Sequence, residues 1–242
     1  MATVVLLGCS TTGKTTAARR MMKTSGMHFE VIDTDSLVAS DEEFKGHLYA
    51  MFLKFTKDGD TSAPQLFLEL GERALLIKLK EKRESVLIAA GPNVPLREPE
   101  WSAFLRAVQP ICVYFRLSAG ELYEGLKKRR ERQKRRGMDL CPGFGCWDNG
   151  LATRYNAKSG EWDELSKDEA IPLIEQHIAR VEPVYMAACE PQHVFDVGEC
   201  KHDQVFQDRL NRVLVDCLRW KPMPVSWDYT FQSASQFMEH QV

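Results

Sequence analysis

Cysteine is scarce in this chain: seven residues in 242, unevenly spaced. A disulfide framework needs a denser, paired set, so a reducing compartment is the expected setting. No apolar run approaches the length that crosses a bilayer. Val5 to Cys9 imitates a lipoprotein cleavage box, yet no basic segment and only a few apolar residues precede it. An excess of either charge is missing too, with 32 basic and 34 acidic residues and a net of −2. That balance excludes a surface coated in nucleic-acid-binding charge. Internal repeats are absent. The expectation is a soluble, cytoplasmic protein, monomer or homodimer, with no membrane partner.

What is present is more specific. Hydrophobic residues make up 44% of the chain, enough for one large domain with a single core. The charge is also unevenly placed. Lys127 to Arg136 reads KKRRERQKRR, and setting that run aside takes eight basic residues from 32 and one acidic residue from 34, leaving a net of −9. An acidic chain thus carries one concentrated basic segment.

Short apolar runs alternate with stretches of helical period. Val4–Leu7, Val31–Ile32, Val86–Ala89, Ile111–Phe115 and Val194–Phe195 lack polar alternation, as strands of a parallel sheet covered on both faces do. Capping boxes at Ser40/Glu43, Ser118/Glu121 and Ser166/Glu169 mark helix starts, and Pro64 and Pro99 sit where first-turn prolines are tolerated. The predicted fold is α/β: a five-stranded parallel sheet in a three-layer α/β/α sandwich. The domain is expected over residues 1–218. Within it, 137–165 reads as a lid or loop insertion, and 219–242 as a tail packed on its surface.

The strongest motif follows the first strand. Gly8, Cys9, Ser10, Thr11 and Thr12 lead into Gly13 and Lys14, and Thr15 and Thr16 open a helix. This is the Walker A pattern in its strand–loop–helix setting. Its glycines let consecutive N–H groups turn inward to phosphate oxygens, and the helix terminus adds partial positive charge. Lys14 is expected to reach the β- and γ-phosphates of ATP, and the Thr15 hydroxyl to hold Mg²⁺. Asp33 and Asp35, two apart at the end of the second strand, share one face beside this loop. One suits Mg²⁺ through water, and the other suits the proton of an acceptor hydroxyl.

At these residues the chain resembles the shikimate kinase family, within the small P-loop kinases of the nucleoside/nucleotide kinase type. Gly8 to Thr15 matches that family's phosphate loop. Asp33 and Asp35 match its acidic pair, whose second member contacts the acceptor. Val86 to Gly91 stands where the family runs a strand into a triple glycine, which implies that Gly91 borders the acceptor. Arg180 to Tyr185 is similar to its Arg-x-Pro-x-Tyr element. The resemblance implies ATP- and Mg²⁺-dependent phosphoryl transfer to a hydroxyl, with Lys14, Asp35 and a lid arginine as catalytic residues. Arg130 is the first choice of lid arginine by family position, with Arg129, Arg135 and Arg136 as the other candidates. Arg73 and Arg180 are candidates for the acceptor, and Arg154, in the insertion, is a candidate second lid arginine and acceptor contact.

The departures point away from shikimate itself. Ala90-Gly91-Pro92 replaces the triple glycine and removes a backbone donor. Arg73 and Arg180 are displaced from the family's substrate arginines, and a shift of one residue re-aims a bidentate carboxylate contact. The expected enzyme is a kinase of a different small molecule. The rivals are a nucleic-acid or nucleotide 5′-kinase and a non-catalytic, regulatory ATP-binding module. Cys141 and Cys146 lack a second tight pair, so zinc is not expected.

Overall fold

The computed structural model describes residues 2–34, 75, 78–79, 84–90, 108–136, 151–156, 158–159, 161–198 and 203–219. Along the chain these comprise β1 (Thr3–Leu7), α1 (Lys14–Thr24), β2 (Glu30–Asp33), β3 (Val86–Ala89) and β4 (Ile111–Arg116). They continue with α2 (Ala119–Arg135), β5 (Thr153–Asn156), β6 (Glu161–Glu164), α3 (Lys167–Ala188), β7 (Val194–Asp196) and α4 (Gln204–Arg219). The candidate site residues Asp35, Arg73 and Gly91 lie outside the described residues. So do Ser40, Pro64, Pro99, Cys141, Cys146 and everything beyond Arg219.

Five strands form a parallel sheet in the order β2-β3-β1-β4-β7. All five strands expected from the apolar runs are present. Val4 to Leu7 and all of β3 are buried, which is why neither segment alternates with polar residues. The chain leaves β1 in one direction to reach β2 and crosses in the other to reach β4 and β7. Right-handed crossovers therefore put α1 on one face and α2 and α3 on the other, giving three layers. α4 returns to the α1 face, where Arg20 donates a hydrogen bond to Gln207. Ligands of such sheets bind beyond the strands' carboxyl ends, where the strand order reverses beside β1.

The helices start where their caps require. Ser118 and Ser166 each accept a hydrogen bond from a backbone N–H three residues on, and Glu121 and Glu169 return the contact. α2 and α3 run antiparallel, because Arg130 and Lys134 near the end of α2 both reach Glu164, just before α3 begins. Tyr114 and Tyr185, 5.2 Å apart between ring centres, join β4 to α3. Phe195 packs on Phe115 at 6.4 Å and edge-on to Phe206 at 5.8 Å, which ties β4, β7 and α4 together.

The segment read as one lid or loop contains a paired ribbon in its second half. β5 and β6 are antiparallel, with Thr153 opposite Glu164 and Asn156 opposite Glu161. The Asn156 side chain accepts from the N–H groups of Lys158 (3.0 Å) and Ser159 (3.4 Å), a local turn that reverses the chain. Arg180 to Tyr185 lies in the interior of α3, Pro183 included.

Candidate functional site

The site begins where β1 runs out. Gly8 has φ +136°, and a Cβ there would stand 2.5 Å from the carbonyl oxygen of Phe115, so β4 passes too close for any other residue. Gly13 has φ +92° with nothing near, so its requirement is purely conformational. Between them Thr11 holds φ +66°, a costly conformation for a β-branched residue. The loop delivers the chain to α1, whose N-cap is Gly13 without a side-chain cap, and no acid occupies the first turn. The first N–H groups of α1 are thereby left facing the loop's concavity, a site suited to an anion.

Lys14 is buried at the mouth of this helix, and its ammonium donates to Gly8 O and Cys9 O, both at 2.7 Å, and to Thr12 Oγ1 at 3.3 Å. Thr15 Oγ1 donates to Asp33 Oδ2 at 2.8 Å. That contact follows from the register: Leu6 of β1 pairs Ala89 of β3, which pairs Asp33 of β2. The two residues expected at Mg²⁺ are therefore already together, as hard oxygen donors beside the phosphate loop. A magnesium ion held by one or two protein oxygens plus phosphates and water fits them.

α2 crosses directly over the loop. A Cβ on Gly125 would meet Thr11 Oγ1 at 2.3 Å and Thr11 Cβ at 3.0 Å, so helix and loop touch at this glycine. One turn further on, Arg129 donates from Nη1 to Ser10 Oγ at 3.2 Å. The cleft between the loop, α2, β7 and α4 has a volume of about 900 Å³. Lys128, Arg129, Arg132 and Arg135 line one wall, Arg20 and Gln207 the other, and Val197, Phe206 and Leu210 supply an apolar patch.

Arg130, the first choice of lid arginine, is not brought to this cleft. It is 8% exposed, on the opposite side of α2, with Nε 3.2 Å from Glu164 Oε1. The helical period separates it from Arg129 by about 100°, so only one of the two neighbours can face the phosphate loop. Burial pulls the Arg130 guanidinium below its usual value, partly offset by the charge of Glu164. Glu164 is held below the ordinary carboxylate range, first by its hydrogen bond from Lys134 and then by the charges of Arg130, Lys134 and Lys127. Arg154 is exposed on β5 and also outside the cleft lining. Arg180 is exposed on α3 with Nη2 3.2 Å from His177 Nδ1, again outside that lining.

No protein-family model matches the sequence, and no curated protein does. Solved structures do. Shikimate kinase from Bacteroides thetaiotaomicron superposes with a TM-score of 0.57 at 18% identity, covering 90% of this chain and 99% of that one. Shikimate kinase from Acinetobacter baumannii, in complex with shikimate, gives 0.50 at 17% identity, covering 89% and 94%. The fold is that of a P-loop small-molecule kinase. At such identities the likeness extends to the fold, and the chemistry rests on the residues themselves.

Several contributors escaped the sequence reading, Gly125, Arg20 and Phe206 among them. Gly125 interrupts a segment of good helix formers, a signal of close packing that could have been noticed. Arg20 and Phe206 carried none, because nothing local shows that α1 and α4 share a wall. Among the described residues no three metal-ligating side chains gather.

Proposed function

We propose that the protein is an ATP-dependent kinase transferring the γ-phosphoryl group to a hydroxyl of a small-molecule acceptor. The observation that carries this reading is the phosphate loop, with Lys14 at its centre and Thr15 bonded to Asp33 at its edge. The loop and the uncapped start of α1 hold phosphate oxygens through backbone N–H groups. Lys14 exchanges its bonds to Gly8 O and Cys9 O for β- and γ-phosphate oxygens. Thr15 and Asp33 would hold Mg²⁺, which would supply positive charge to offset that of the phosphates.

Arg129 takes the part expected of Arg130, because its guanidinium already reaches Ser10 in the loop. There it neutralises charge on the moving phosphoryl group. Val197, Phe206 and Leu210 offer an apolar surface for the nucleoside. Asp35 accepts the proton of the acceptor hydroxyl as its oxygen bonds the γ-phosphorus, and the bond to the ADP oxygen breaks. Catalysis of this kind is mostly positioning and electrostatics, so the docking of α2 on the loop matters as much as the base. The protein is expected in the cytoplasm, and none of its described helices is long and apolar enough to cross a membrane.

The test is Lys14→Met, which removes the ammonium and retains an unbranched stem. Labelled-ATP transfer across a panel of hydroxyl acceptors is expected to fall at least about a thousandfold, while the circular dichroism spectrum is unchanged. Undiminished transfer by the variant would refute the assignment.

A further inference from the structure

The basic run carries more charge than a magnesium-bound nucleotide needs, and the structure sorts that charge into two faces. Arg130 and Lys134 face away from the cleft and share the single carboxylate of Glu164. Lys128, Arg129, Arg132 and Arg135, spaced for one side of a helix, line the cleft instead. Among the described residues of the lining, Lys14 and Arg20 bring the cations to six, against the two acids Asp33 and Glu131. A triphosphate with its magnesium brings about two net negative charges, leaving roughly two positive charges unmatched among these residues, or about one once Asp35 serves the acceptor hydroxyl.

The surplus has a location. Helical side chains lean toward the N-terminus of their helix. Arg132 Nε bonds Lys128 O at 3.3 Å and Arg135 Nε bonds Glu131 O at 3.4 Å. Each guanidinium is thus pinned to its own helix by Nε, with its two Nη groups left to a ligand. Among the described residues neither has a carboxylate partner. Arg129, leaning the same way, meets the phosphate loop at Ser10. Arg132 and Arg135 stand one and two steps further along the axis, about 4.5 and 9 Å from Arg129 at 1.5 Å per residue. A triphosphate seated in the loop meets Arg129 first, and the outer pair forms a second anion subsite within the same cleft.

We propose that the phosphoryl acceptor is itself a phosphomonoester, a small hydroxyl compound whose own phosphate is held by Arg132 and Arg135. This rests on the kinase reading and names its substrate class. A phosphomonoester brings about two negative charges near neutral pH, one for each of the two outer arginines. Planar guanidinium groups suit its oxygens in bidentate geometry. The reaction remains the transfer already described, from ATP to the acceptor's free hydroxyl, and the acceptor's own phosphate is spectator and handle.

The experiment is calorimetric titration of the full chain saturated with Mg²⁺ and a non-hydrolysable ATP analogue. Inorganic phosphate and glycerol phosphate are the probes, and glycerol is the control. Phosphate and glycerol phosphate are expected to bind the nucleotide-loaded protein and glycerol not to. Arg132→Gln and Arg135→Gln should each weaken glycerol phosphate about tenfold, the loss of one charge-assisted contact, with analogue affinity held within about threefold. Three results would overturn the proposal: no phosphate binding once the analogue is bound, equal weakening of analogue and phosphate in the variants, or binding of an oligonucleotide at the outer arginines with a steep salt dependence. The last would make this face a nucleic-acid track. If the analogue itself fails to bind the wild-type chain, the kinase reading falls and takes the proposal with it.

Discussion

The contact between Gly125 and Thr11 can be tested by a double-mutant cycle whose terms are opposed. Gly125→Ala adds a methyl group 2.3 Å from Thr11 Oγ1 and 3.0 Å from Thr11 Cβ. Rotating the threonine moves its hydroxyl but leaves the Cβ where it is, so the loop or the helix must shift. Overpacking of this kind costs about 1–3 kcal/mol, while alanine in a helix interior gains about 1 kcal/mol over glycine. The single variant is therefore expected to be destabilised by roughly 1 kcal/mol, and to bind nucleotide more weakly because the strain lands on the phosphate loop. Thr11→Gly works the other way. It relieves a β-branched residue at φ +66° and is expected to stabilise the fold by about 1 kcal/mol, after the chain entropy that glycine costs. In the double variant the clash is gone and the helix gain of alanine survives, so its stability should exceed that of either single variant. The assay is urea unfolding followed by circular dichroism, with all four proteins compared at equal slope. The expected coupling is about 1–3 kcal/mol in favour of the pair. Additivity within about 0.5 kcal/mol would mean that α2 does not rest on the loop as described.

Two further outcomes follow from side chains that neighbour one another in sequence or along one helix. Arg129→Gln should lower kcat/KM about tenfold to a hundredfold with little loss of melting temperature, whereas Arg130→Gln should destabilise the fold and leave the kinetics of the remaining folded enzyme nearly intact. A reversed pattern in steady-state kinetics and thermal melts would return the catalytic role to Arg130. His177 is buried in α3, and desolvation, then the charge of Arg180, lowers its pKa from 6.5 to about 4. The unfolded chain therefore binds a proton that the folded one rejects between those values. Stability on this account is full above pH 6.5 and is lost as pH falls toward 4, by about 3 kcal/mol. His177→Phe should flatten that limb of a stability–pH curve, and an unchanged slope in the variant would assign the acid sensitivity to other groups.

Much of the fold was legible because its signals are local. Apolar runs marked all five strands, and in β1 and β3 the run is unbroken because a strand buried on both faces has no room for polar alternation. Ser118 and Ser166 announced α2 and α3 through short-range capping contacts. The Walker pattern gave the loop, Lys14 and Thr15, because phosphate chemistry demands those residues consecutively in the chain. The ribbon of β5 and β6 was missed because its pairing and its Asn156 turn compete with a composition that reads as loop. Arg180 was drawn toward the acceptor by resemblance and Arg154 by its place in the insertion, and both lie outside the cleft lining.

By itself, then, the order of residues determined the strands, the phosphate loop and the existence of one basic helix, all properties of neighbours along the chain. It could not say which arginine of that helix meets the loop. Arg129 and Arg130 are adjacent in sequence and about 100° apart around the helix, so the choice depends on which face packs. Glu164, brought in by the ribbon, draws Arg130 and Lys134 to the back. Gly125 lets the front settle on Thr11 and carries Arg129 to Ser10. That assignment belongs to the tertiary structure, because close approach of two backbones is decided by everything packed around them.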